Sequence, residues 1–118
     1  MVTDPFQFLG QHVLVEIDRQ LGSHHPRHDF IYPVNYGFIP DTISADGAPL
    51  DAYVLGIPTS LAVFEGECIA VILRDDDDDP KLVVVAAGEQ FTDAEIEELT
   101  RFQEQFFQSH LHRCPLSQ

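Results

Sequence analysis

The sequence predicts a β-rich α+β fold, a small closed barrel of short strands followed by one packed helix. Three observations carry this. Short β-type runs recur through the first 86 positions and are separated by Gly, Pro and Asp turns. One capped helical run follows them. No long segment is left over to cover open strand edges, and closing the sheet on itself is the simplest way to leave none exposed.

The elements follow in order. His12–Ile17 alternates, with Val13, Val15 and Ile17 on one face, and reads as a strand. Residues 22–29 (Gly-Ser-His-His-Pro-Arg-His-Asp) are polar and rich in breakers, so they read as a loop. Phe30–Ile39 is aromatic and extended, with Pro33 and Gly37 limiting it to short strand pieces. Pro40-Asp41 and residues 45–49 (Ala-Asp-Gly-Ala-Pro) are turns, and Leu50–Ile57 is a short apolar strand. Glu67–Leu73 and Lys81–Ala86 are two more strands, joined by an acidic loop over 74–80. Thr92 and Glu95 form a capping box, and Asp93 suits the positive end of the dipole. Ile96, Leu99, Phe102, Phe106 and His110 share helical spacing, so the helix is expected to reach about His110. Residues 112–118 have no periodicity and read as a mobile tail.

At 118 residues the chain is the length of one domain, and no repeat or linker divides it. No apolar run approaches the roughly 20 residues of a membrane span. No basic region followed by an apolar stretch opens the sequence, so the expectation is a cytoplasmic protein. Cys68 and Cys114 are too few for a disulfide framework, and Cys68 reads as a small core residue. Twenty Asp and Glu face six Lys and Arg, for a net charge of −14. Such a field repels nucleic acid and disfavours a DNA- or RNA-binding role. By composition it is the signature of an acidic surface kept for solubility, and only local spacing can point instead to carboxylates gathered around a hard cation.

The chemistry-bearing stretch is residues 32–39 (Tyr-Pro-Val-Asn-Tyr-Gly-Phe-Ile) followed by 44–54 (Ser-Ala-Asp-Gly-Ala-Pro-Leu-Asp-Ala-Tyr-Val). An Asp46-Gly47 turn leads into a strand that starts with Asp51. A turn and a strand start can aim two carboxylates at one point, which suits Mg²⁺ completed by water and phosphate oxygens. Taken alone, the pair reads as turn chemistry before it reads as a metal site. The oxygen spacing and terminal Glu of an EF-hand are absent. His24 and His28 have a spacing found in helical zinc sites, but Pro26 between them breaks a helix.

These segments, in this order, resemble the soluble family I inorganic pyrophosphatases. The resemblance runs from about residue 30 to 85 and continues into residues 79–84 (Asp-Pro-Lys-Leu-Val-Val), with weaker echoes at Glu16 and Phe106-Phe107. It implies a five-stranded OB-type barrel with a flanking helix, and Mg²⁺-dependent (or Mn²⁺-dependent) hydrolysis of pyrophosphate or a related phosphoanhydride. By the same resemblance Asp46, Asp51 and Asp79 match metal-binding carboxylates. One or two of Asp75 to Asp78 match another, with Asp75 the candidate carried forward. Tyr36 and Lys81 match phosphate-contacting groups, and Glu16 an acidic residue lining the site. Asp51, Asp46, Lys81 and Tyr36 form the implied catalytic set. The resemblance also implies a homo-oligomer.

The departures are specific. Ala48 stands where the family has a third acidic residue that helps activate water, and losing a positioned base costs on the order of 10² to 10⁴ in rate. His110 takes the place of a phosphate-binding Tyr, and Leu111 that of a Lys. The segment between Glu16 and Phe30 is shorter than in the family, and Lys81 is the only lysine. Arg19, Arg27, His24, His25 and His28 occupy the stretch that replaces it, with Arg27 the candidate phosphate clamp. The alternative to an enzyme is a non-catalytic domain on the same scaffold, binding metal, phosphate or a protein partner.

Overall fold

The computed structural model describes residues 2–27, 29–75 and 77–113, without the side chains of 77–79. The expectations for His28, for Asp79 and its acidic neighbours at 76–78, and for Cys114 and the rest of the tail at 115–118 lie outside the described residues or side chains. After a 3-10 turn at Pro5–Phe8 come β1 (His12–Arg19), β2 (Asn35–Phe38), β3 (Asp51–Val54), β4 (Val63–Arg74) and β5 (Asp77–Val85). The helix α1 (Asp93–Glu104) and a further strand β6 (Ser109–Arg113) follow. The sheet order is β1-β2-β3-β5-β4, and β4 pairs back onto β1. Five strands therefore close into a mixed barrel. Its pairings are antiparallel except β3 against β5. This is the OB-type barrel with one helix that the sequence predicts.

Closure depends on the length of β4. Its first half, Val63–Glu67, pairs with β1, and its second half continues past the end of that ladder. There Ala70–Arg74 would present a bare edge, and β6 fills it in antiparallel register, Ala70 against Arg113 and Arg74 against Ser109. The helix therefore ends at Glu104 rather than near His110. Phe106 and Phe107 close it with tightened bonds to the carbonyls of Gln103 and Glu104, at 3.3 and 3.0 Å. His110 lies in β6, and so do His112 and Arg113, which the sequence assigns to the tail. The apolar period of the helix carries on by chance through Phe106, whereas β6 is selected by an edge contributed from 35 residues or more upstream.

Two apolar layers result. Val13, Val15, Ala52, Val54, Cys68, Val71, Leu82 and Val84 fill the barrel. Tyr36, Tyr53, Ala70, Ile72, Val83 and Val85 cover its outer wall, where Ile96, Leu99 and Phe102 of α1 pack. Residues 82–85 are buried on both faces of the sheet, which is why they read as an unbroken apolar run. The capping box is formed, with Glu95 N–H donating to Thr92 Oγ1 at 3.1 Å and Thr92 N–H to Glu95 Oε1 at 2.7 Å. Arg113 at the end of β6 donates to Asp93 Oδ1 (2.6 Å) and to the Phe91 carbonyl (3.1 Å), tying the helix start to the sheet.

Candidate functional site

Residues directly opposite each other in a sheet share a face. One such row on the outer wall runs Glu16, Phe38, Asp51, Lys81 and Ile72; the next runs Arg19, Tyr36, Tyr53, Val83 and Ala70. The second row lies under the helix. The first extends beyond it, so Asp51 and Lys81 emerge where the helix no longer covers the wall. Their parallel register sets them side by side, with Lys81 Nζ 2.5 Å from Asp51 Oδ2. Only 3% of the Lys81 side chain is exposed, against 27% for Asp51. Burying an ammonium is costly without a partner, and Asp51 supplies one. The ammonium also lies 5.6 Å from the Tyr36 ring centroid.

Around this pair opens a cleft of about 450 Å³. The end of β1 contributes Asp18 and Arg19, the loop before β2 contributes His25, Arg27 and Tyr32, and Arg74, Gln103, Phe106 and Phe107 close the far side. Four of the chain's six Lys and Arg side chains therefore line one cleft, together with two carboxylates and two tyrosines. In a protein of net charge −14 the lining carries four cations against two carboxylates, a local reversal of sign.

The sequence-derived candidates divide. Tyr36, Asp51, Lys81 and Arg27 line the cleft. Asp46 stands outside it on an exposed turn, where its carboxylate accepts from the Ser44 hydroxyl and, at 2.9 Å, from the Ala48 N–H. The Ser44 bond, then the Ala48 bond, hold its pKa below the usual carboxylate range, and the Lys81 charge reaches it as well. Position 48 thus closes the Asp46 turn through its backbone and offers no carboxylate. Glu16 shares the row of Asp51, but Phe38 stands between them and Glu16 is exposed outside the cleft. Asp75 and His110 bond to each other at 2.9 Å, both exposed and away from the cleft lining, because β6 turns the His110 ring outward. His24 forms a bridge with Ile31 and is likewise outside.

Asp18, Arg74, Tyr32 and Gln103 line the cleft without having been singled out from the sequence. Asp18 arrives through a bulge between Ile17 and Arg19, which breaks the strand's alternation, whereas Glu16 was a candidate through the family resemblance. Partial burial raises its pKa, with Asp51 adding to the rise and Arg19 offsetting part of it. Behind the wall, Glu104 accepts from Arg74 Nε at 3.0 Å and from Arg74 Nη2 at 2.7 Å. It also accepts from the Tyr53 hydroxyl and from Ser109, both at 2.5 Å. Gln103 donates to Tyr53 at 2.8 Å. Burial and then the Glu104 charge push the Tyr53 pKa well up.

Among the described residues no three His, Cys, Asp or Glu side chains converge as a ready-made metal cage. Two carboxylates facing one cleft do suit Mg²⁺, which uses one or two protein carboxylates and keeps water and phosphate oxygens for the rest. Asp18 and Asp51 repel each other there, a repulsion that a bound cation relieves.

Comparison with known proteins decides the family. The inorganic pyrophosphatase family matches the chain over residues 10–112. The chain belongs to that family. Among curated members, the inorganic pyrophosphatase of Saccharolobus solfataricus is 39% identical over 51 residues, 43% of this chain and 27% of that protein. That of Rhodospirillum rubrum is 39% identical over 61 residues, 45% of this chain and 32% of that protein. The match therefore spans only about a third or less of the length of these relatives. The inorganic pyrophosphatase structure from Ehrlichia chaffeensis superposes with a TM-score of 0.69 at 19% identity, covering 89% of this chain and 87% of that one. The Neisseria gonorrhoeae structure gives 0.60 at 22% identity, covering 96% and 88%. At such identities these structures establish the shared barrel. The family is generally dependent on divalent metals, and no helix among the described residues is long and apolar enough to cross a membrane.

Proposed function

We propose that the protein hydrolyses inorganic pyrophosphate, or a related phosphoanhydride, to phosphate with Mg²⁺ or Mn²⁺ in the cytoplasm. The observation that carries this is the convergence of Arg19, Arg27, Arg74 and Lys81 on one cleft that also holds Asp18 and Asp51. Fixed cations match the charge of a phosphoanhydride, and the carboxylates match the cation that accompanies it. Family membership supports the same reading.

Asp51 and Asp18 would hold the metal, and the resemblance adds Asp46, on its turn outside the cleft, and Asp79 as candidates for further ligands. When bound, the cation supplies charge neutralisation and acidifies water. Lys81, held by Asp51, stabilises negative charge on the phosphoryl oxygens, and the Tyr36 hydroxyl donates to one of them. Arg27 closes on the substrate from the loop. Phe106 and Phe107 narrow the mouth and limit the water that reaches it.

The test is phosphate release from pyrophosphate with Mg²⁺ and separately Mn²⁺, beside Asp51→Asn. Wild-type protein should release phosphate only with metal, and Asp51→Asn should lose at least about 100-fold, as for a lost charge-positioning group. Equal release by a correctly folded Asp51→Asn would remove Asp51 from the site. No release by the wild type would leave a non-catalytic binder of metal or phosphate.

A further inference from the structure

We propose that Arg74 contacts the anionic substrate directly and that Glu104 is its positioning residue. This deepens the phosphoanhydride reading and rests on it for the identity of the ligand. Arg74 ends β4, two residues beyond Ile72, the register partner of Lys81. The two cations therefore reach the same cleft from neighbouring strands. Glu104 takes Nε and Nη2 of the guanidinium in a two-point hold, and the Arg74 side chain is only 4% exposed. The guanidinium plane also lies over the Phe107 ring, 3.6 Å from its centroid. Glu104 is in turn fixed by Tyr53 and Ser109, and Tyr53 by Gln103. The guanidinium thus reaches the cleft wall with its orientation set before any ligand enters, which is what transition-state charge stabilisation requires.

Stability alone explains this arrangement poorly. A buried ion pair is often no better than apolar side chains of the same volume, and those would complete the layer of Ile72, Leu111 and Phe102. What apolar side chains could not provide is a second fixed cation beside Lys81. The planar fork of arginine is suited to two phosphoryl oxygens at once, and lysine is not.

The experiment is calorimetric binding of methylenediphosphonate, a non-hydrolysable pyrophosphate analogue, by the full chain with Mg²⁺, followed by steady-state kinetics with pyrophosphate. The proteins are wild type, Arg74→Lys, Glu104→Gln and the paired Arg74→Met/Glu104→Leu, each checked by near-ultraviolet circular dichroism. The paired variant should fold and bind on the order of 10- to 100-fold more weakly, as for one lost charge-assisted contact. Arg74→Lys should recover part of that loss. Glu104→Gln should lower kcat more than it raises KM, since the cation stays but its aim loosens. A folded paired variant that binds as tightly as wild type overturns the inference and leaves the phosphoanhydride reading standing. If that variant does not fold, Arg74→Lys decides, and unchanged affinity and kcat there overturn the inference. Wild-type protein that neither binds the analogue nor turns over pyrophosphate removes the underlying reading, and the inference with it.

Discussion

Glu104 illustrates how much one side chain can depend on its neighbours. Burial alone would raise its pKa, but bonds from Arg74, Ser109 and Tyr53 outweigh burial and leave it below the ordinary value of 4.5. A carboxyl depressed in the folded state stabilises that state fully above the unfolded pKa. The contribution is lost as pH falls below about 4.5 and through the folded pKa. Glu104→Gln should therefore cost on the order of 3 kcal/mol at pH 7, because the buried Arg74 loses its two-point contact with a charged carboxylate. The gap between variant and wild type should close as pH drops below 4.5 in urea titrations. A gap that stays constant to pH 3 would mean that the four bonds do not favour the charged form.

At the scale of elements, barrel closure needs backbones to approach where a side chain would interfere. Gly37 of β2 lies opposite Ile17 of β1, at the end of the ladder just before the bulge. A Cβ there would stand 1.9 Å from the Glu16 carbonyl oxygen and 2.8 Å from the Ile17 Cα, both backbone atoms that cannot rotate away. Gly37→Ala should cost about 3 kcal/mol or more, at the upper end of overpacking effects. It should also disturb the bulge that delivers Asp18 and Arg19. Urea unfolding followed by pyrophosphate binding checks both. A stability change below about 1 kcal/mol would show that β1 and β2 can separate at no great cost.

For the whole molecule, net charge adds a term of self-repulsion. A net charge of −14 on 118 residues, with four of six Lys and Arg side chains drawn into one cleft, leaves most of the surface acidic and poorly compensated. Salt screens such repulsion over a Debye length of about 10 Å at 0.1 M. The melting temperature should therefore rise between 20 and 500 mM KCl, by about 5 °C if screening recovers ~1 kcal/mol. A flat or falling curve would show that the surface carboxylates are spaced widely enough not to interact.

Patterns along the chain already point to the barrel with its single helix, to the helix cap, and to Tyr36, Asp51 and Lys81, which line the cleft. Each of these was legible because its signal is local, whether alternation, a capping box, or a motif whose spacing survives in one stretch of chain. Arg27 had no such signal, only its place in a loop, and the fold brings it to the cleft. Tertiary structure decided the rest. The bulge that puts Asp18 rather than Glu16 at the cleft depends on register against β2. The strand β6 forms because β4 outruns β1, and it turns His110 outward and ends the helix early. Arg74 and Glu104 lie 30 positions apart, and nothing near either one announces the other. Contacts of that kind exist only once the strands are side by side, which is why a pattern read along the chain could not contain them.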